Sequence, residues 1–133
     1  MAEVTVHAET EVNPTEDTEK VKAAVCNMLG NVSITVKPEG KGSVLVAEAS
    51  GQASLVKLRN LLRSDRIRDA ARKALFHSIR GSVISFCLNK QVAYAGHVSF
   101  SEETAESPLG PIRVTVTSGN PRQLVEWLAE KTA

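Results

Sequence analysis

Val4 and Val6 alternate with polar neighbours at the start of the chain, the period-two signature of a half-buried strand. The run Asn13-Pro14-Thr15-Glu16-Asp17 then predicts a helix start. Asn13 is placed to cap, Pro14 to take the first helical position and Glu16 to close a capping box, with Thr15 as the alternative cap. Val21, Ala24, Val25, Met28 and Leu29 recur at helical spacing, and Gly30 ends the element. Val32, Ile34 and Val36 alternate again as a second strand. Pro38 to Gly42 supplies turn residues and Val44 to Ala49 a third strand, which together predict a hairpin.

Two apolar stripes follow. Leu55, Leu58, Leu61 and Leu62 form the first, and Ile67, Ala70, Ala71, Ala74 and Leu75 the second. Ser64-Asp65 between them predicts a break near residue 64 with a cap for the next helix. The small Ala70 and Ala71 predict close packing on another element. Beyond Gly81 the period returns to two: Ser82 to Leu88 and Gln91 to Phe100 read as strands joined tightly at Asn89-Lys90. A polar loop over 101–110 leads to Pro111 and a strand through Ile112, Val114 and Val116. Asn120-Pro121 then caps a terminal helix carrying Leu124, Val125, Trp127 and Leu128, with Trp127 expected in the core. The order βαββααβββα, with hairpins and segregated helices, predicts one α+β domain over residues 1–133. Its form is two-layered, a mixed or mainly antiparallel sheet with helices on one face.

Charge changes this picture more than composition does. The chain has 133 residues, and its 42% hydrophobic and 23% charged content is ordinary for a globular domain. Its net charge is +1, yet Ser54 to Arg80 holds eight of the 16 basic residues and only two of the 15 acids. That stretch is +6 and the rest of the chain −5. Arg59, Arg63 and Arg66 fall on one helical face, and Arg68 and Arg72 make a further i, i+4 pair, beside the leucines and not among them. Such asymmetry points to an anionic partner, nucleic acid above all. No apolar run approaches the ~20 residues of a membrane helix, and MAEVTVHAET lacks the pattern of a secretory signal. Cys26 and Cys87 are isolated, so two reduced thiols in a cytoplasmic protein are expected.

Catalytic patterns are missing. HExxH, GxSxG, GxGxxG and the phosphate-cradling glycine loop do not occur. His7, His77 and His97 have no partner that spacing alone assigns. Glu102, Glu103 and Glu106 read as a solvated loop, and Phe86, Tyr94 and Phe100 as core. No cofactor, no metal and no catalytic residue is expected.

The blocks NPTEDTEKV (13–21), SLVKLRNLLRSDRIRDAARKAL (54–75), FCLNKQVAYAGHVSF (86–100), PLGPIRVTV (108–116) and the late VEWLAE resemble, in the same order, an archaeal group. It is known as uncharacterised protein family number 0201, some of whose members carry a predicted exosome association. Thr18 and Val92 depart from the family's usual Pro and Ala. The resemblance implies an archaeal cytosolic source, a fold like the fifth large-subunit ribosomal protein, and a predicted link to RNA, exosome or ribosome, with no established activity. Combined with the charge, the expectation is a non-enzymatic RNA-binding protein. Arg59, Arg63, Arg66, Arg68 and Arg72 are the candidate contacts, supported by Lys57, Lys73 and Lys90. The alternatives are a protein-interaction or homodimer module facing an acidic partner and, further off, a small-molecule enzyme using the LNKQ turn and PLGPI loop.

Overall fold

The alternation at the start of the chain reappears as burial in a computed structural model that describes residues 3–101 and 110–131. In β1 (Val4–Val12), Val4, Val6, Ala8, Thr10 and Val12 are buried while Thr5, His7 and Glu11 are exposed. Next come α1 (Thr18–Met28), the hairpin β2 (Ser33–Glu39) and β3 (Gly42–Ser50), and a 3₁₀ turn (Gln52–Leu55) running into α2 (Val56–Ser64). The chain continues through α3 (Arg68–Ser78), β4 (Val83–Asn89), α4 (Lys90–Tyr94), β5 (Phe100–Ser101), β6 (Pro111–Ser118) and α5 (Pro121–Leu128).

The six strands form one sheet in the order β2-β3-β1-β6-β4-β5, every ladder antiparallel. The mainly antiparallel sheet expected from the sequence is thus present, and it is wholly antiparallel among the described residues. Register stacks the inward residues across it: Ala47, Ala8 and Val114 lie in one row, and Leu45 pairs with Thr10. Thr10, buried without an apolar excuse, donates its hydroxyl to the Pro111 carbonyl at 3.0 Å and so ties β1 to the start of β6. Gly42 is needed because a Cβ there would meet the Val12 carbonyl oxygen at 2.4 Å. Val21, Ala24, Val25 and Met28 of α1, Leu58 and Leu62 of α2, Leu75 of α3 and Leu124, Val125 and Leu128 of α5 complete the core. Each large apolar side chain so buried contributes about 1.5–3 kcal/mol.

Several local expectations are corrected. Asn13 and Glu16 do bond reciprocally, Glu16 N to Asn13 O at 2.9 Å and Asn13 N to Glu16 Oε1 at 3.0 Å, but they close a turn. The helix begins later, capped by Asp17, whose carboxylate accepts from Glu19 N. The break near residue 64 is present, yet Asp65 does not cap α3, which begins after Ile67 without a side-chain cap. In α3, Ala71 and Leu75 are buried while Ala70 and Ala74 are exposed, because Ile67 and Phe76 flank a narrow apolar face. The strand expected from Gln91 is the short helix α4, set by Asn89, whose side chain accepts from Val92 N at 3.0 Å. Trp127 is half-buried, not enclosed. The Glu102, Glu103 and Glu106 loop and Pro108 and Leu109 of PLGPI lie outside the described residues. Among the described residues, no helix is long and apolar enough to cross a membrane.

Candidate nucleic-acid interface

The basic residues between Ser54 and Arg80 separate into two groups once their partners are seen. The first group closes helix ends. A helix terminates in carbonyls with no internal partner and a partial negative charge. Helix α5 has no basic residue in its last turn and carries Glu126 there, with Glu130 just beyond its end, the unfavourable sign. Arg59 from α2 donates Nε to the Trp127 carbonyl at 2.9 Å and pairs through Nη2 with Glu130, while its guanidinium lies 5.3 Å from the Trp127 ring centroid. Arg72 from α3 grips Glu126 with both Nη atoms, at 2.7 and 2.6 Å, and reaches the Ala129 carbonyl at 3.3 Å. The hydrogen bond from Arg72 holds the Glu126 carboxyl below its usual range against the opposing effect of desolvation. Lys57 Nζ donates to the Cys26 carbonyl at the end of α1 at 2.8 Å, and Arg80 closes its own helix through His77 O and Ile79 O.

Lys90 belongs to neither group. It is 4% exposed, with Nζ 2.7 Å from the Glu11 carbonyl and 3.0 Å from Glu16 Oε1. The expectation that Lys90 supports phosphate binding is therefore corrected: α4 turns its side chain inward to a carboxylate 74 residues away in sequence.

The second group surrounds the α2–α3 turn. Arg63 is 53% exposed in its side chain, with one distant acid, Glu130 at 3.9 Å. Among the described residues, no hydrogen bond or ion pair engages the side chains of Arg66, Arg68 or Lys73. The backbone of the turn is fixed. Arg66 N bonds to Arg63 O at 3.2 Å and Ile67 N to Leu62 O at 3.1 Å, the paired bonds of a Schellman ending, which puts Arg66 at φ 59. Asp65 fixes the turn from below, accepting Val98 N at 2.8 Å on Oδ2 with His97 Nδ1 3.1 Å from Oδ1. The Val98 amide foremost, then His97, hold the Asp65 carboxyl below its usual range although burial opposes them. The i, i+4, i+7 row expected for Arg59, Arg63 and Arg66 is thus broken: Arg59 turns to α5, and Arg66 leaves the helix.

The opposite side of the molecule suits a polyanion less. The open face of the sheet carries Glu9, Glu11 and Glu48 against Lys37 and Arg113, with His7 Nδ1 3.7 Å from Glu48 Oε1. Phe86 and Phe100 pack edge to face at 5.8 Å against the core, as expected. Tyr94 does not; it is 49% exposed beside Lys20, two residues the sequence did not single out as a pair. The signal for the helix-end clamps was Glu126 and Glu130, two acids at the wrong end of a predicted helix. Among the described residues no cluster of His, Cys, Asp and Glu has the form of a metal site.

A family model described as RNA binding matches residues 5–118. A UPF0201 protein of Sulfolobus acidocaldarius is 48% identical over 128 residues, covering 96% of this chain and 88% of that protein. Another, from Aeropyrum pernix, is 42% identical over 130 residues, with 97% and 87% covered. The crystal structure of a UPF0201 protein from Methanococcus jannaschii superimposes with a TM-score of 0.85 at 31% identity, over 97% of this chain and 95% of that one.

Proposed function

The chain belongs to the UPF0201 family and matches the RNA-binding family model, and on that premise we propose that it binds RNA through the basic surface at the α2–α3 turn. Arg63, Arg66, Arg68 and Lys73 are the phosphate contacts. The observation that carries this is the division of labour among the cations. Arg59, Arg72, Lys57 and Lys90 are neutralised or hydrogen-bonded within the fold, whereas Arg66, Arg68 and Lys73 have no acid partner among the described residues and Arg63 only Glu130 at 3.9 Å. Guanidinium groups suit this task because their planar fork meets phosphate oxygens two at a time and stacks on an unpaired base. A surface of this kind recognises charge and backbone shape, so the protein acts by binding and brings no chemistry of its own.

Salt dependence tests the reading. Each phosphate neutralised on a single strand releases condensed counterions and contributes about −0.7 to the log–log slope of affinity against salt. Four contacts give a slope of about −3. Fluorescence anisotropy of a mixed-sequence RNA at several salt concentrations should return that value. Binding that ignores salt, or none at ~50 mM salt, overturns the reading.

A further inference from the structure

Between α1 and α4 lies a cleft of about 310 Å³, lined by Thr15, Asp17, Lys20, Val21, Gln91 and Tyr94. That volume is at the small end of ligand sites. We propose that this cleft is a nucleobase pocket, in which an unpaired purine of the bound RNA stacks on Tyr94. The proposal rests on the RNA-binding reading and adds to it a second, uncharged mode of recognition away from the basic turn.

Tyr94 is the first reason. The other aromatic rings of this part of the chain, Phe86 and Phe100, are packed on the core, but Tyr94 is 49% exposed. An exposed aromatic ring loses little by accepting a second flat partner, and base–aromatic stacking is the commonest way proteins hold single-stranded nucleic acid. The ring also stands on a fixed stem. Asn27 of α1 donates to the Ala93 carbonyl at 2.9 Å and the Tyr94 carbonyl at 3.3 Å, which locks the end of α4 to α1. The stack therefore needs no ordering of the backbone beneath it.

Charge in the cleft is the second reason, because it separates the parts of a nucleotide. Beneath the cleft, Lys90 and Glu16 form a buried pair that cancels, so the floor is rigid and carries no net charge. At the rim, exposed Asp17 repels phosphate; its Oδ1 accepts the Glu19 amide at 2.9 Å as the cap of α1, leaving its second oxygen to receive a donor of a base edge. Lys20 lies with Nζ 6.0 Å from the Tyr94 ring centroid, and no hydrogen bond holds it among the described residues. It is placed to meet the nucleotide's own phosphate outside the cleft. The base enters and the phosphate stays at the mouth. Asp65, in the basic turn, binds Val98 N, four residues beyond Tyr94, which ties that turn to the segment following α4.

The test uses a fluorescein-labelled uridine oligomer of about eight nucleotides, the footprint of a small single-strand site, with one central 2-aminopurine. Anisotropy reports binding and 2-aminopurine emission reports stacking. The wild-type protein should bind and quench the probe. Tyr94→Ala should lose the quench and bind about tenfold more weakly with an unchanged salt slope. Tyr94→Phe should behave as wild type. If Tyr94→Ala quenches and binds like wild type, the pocket is wrong while RNA binding stands. If the wild-type protein shows no anisotropy change at ~50 mM salt, RNA binding fails and the pocket with it.

Discussion

Arg66 occupies a backbone position where glycine is the usual residue. At φ 59 it ends α2 as the left-handed residue of a Schellman motif, a conformation that costs a non-glycine residue about 1–2 kcal/mol. Its side chain makes no contact among the described residues that offsets this cost. If the guanidinium serves RNA, Arg66→Gly should raise stability by about 1 kcal/mol while weakening RNA binding, which urea unfolding and anisotropy would measure side by side. A gain in stability with full affinity would remove Arg66 from the interface. Lys90 makes the opposite case, a charge whose function is internal. Glu16→Gln would leave its ammonium buried beside a neutral amide and should cost about 3 kcal/mol. The same carboxylate makes stability fall in acid. Burial pushes its pKa up, but the bonds from Asn13 and Lys90 outweigh burial and bring it below 4.5. A depressed folded pKa contributes stability that is present above the unfolded value and is lost as pH falls through the folded one. Unfolding midpoints measured below about pH 5 should fall steeply for the wild type and less for Glu16→Gln.

Among the elements, the helix ends explain both what could be read from the sequence and what could not. Strands β1, β2, β3 and β6 and helix α1 follow from periodicity, because each repeat lies within a few residues and each buried face is continuous. Helix α4 escaped because Val92 and Tyr94 have strand-like composition. One cap decided it, the Asn89 side-chain oxygen Oδ1 receiving Val92 N. The basic stretch was visible as charge, but charge alone does not say where a cation is used. Arg59 and Arg72 meet Glu130 and Glu126, 71 and 54 residues further on, a pairing that no local pattern encodes. These two arginines attach α5 to α2 and α3. Arg59→Ala should destabilise the protein by about 1–2 kcal/mol, through a lost charged hydrogen bond and an uncovered helix terminus. Trp127, the sole tryptophan, lies under the Arg59 guanidinium, so its emission should shift to the red in the same variant. An unshifted spectrum would mean that the clamp does not cover the ring.

For the whole molecule, one sheet with one buried face leaves two kinds of surface. The open strands present more acid than base, and the helical layer presents the α2–α3 turn. The near-neutral total of +1 conceals this arrangement. The proposed interface places RNA at the turn and not on the arginines of the α5 clamp. Comparing salt slopes decides between them. Arg66→Ala with Arg68→Ala should make the slope shallower by about 1.4, two phosphate contacts, at an unchanged melting temperature and for every RNA sequence tried. A slope equal to the wild type's in that double variant would contradict the claim and return the interface to another face of the protein.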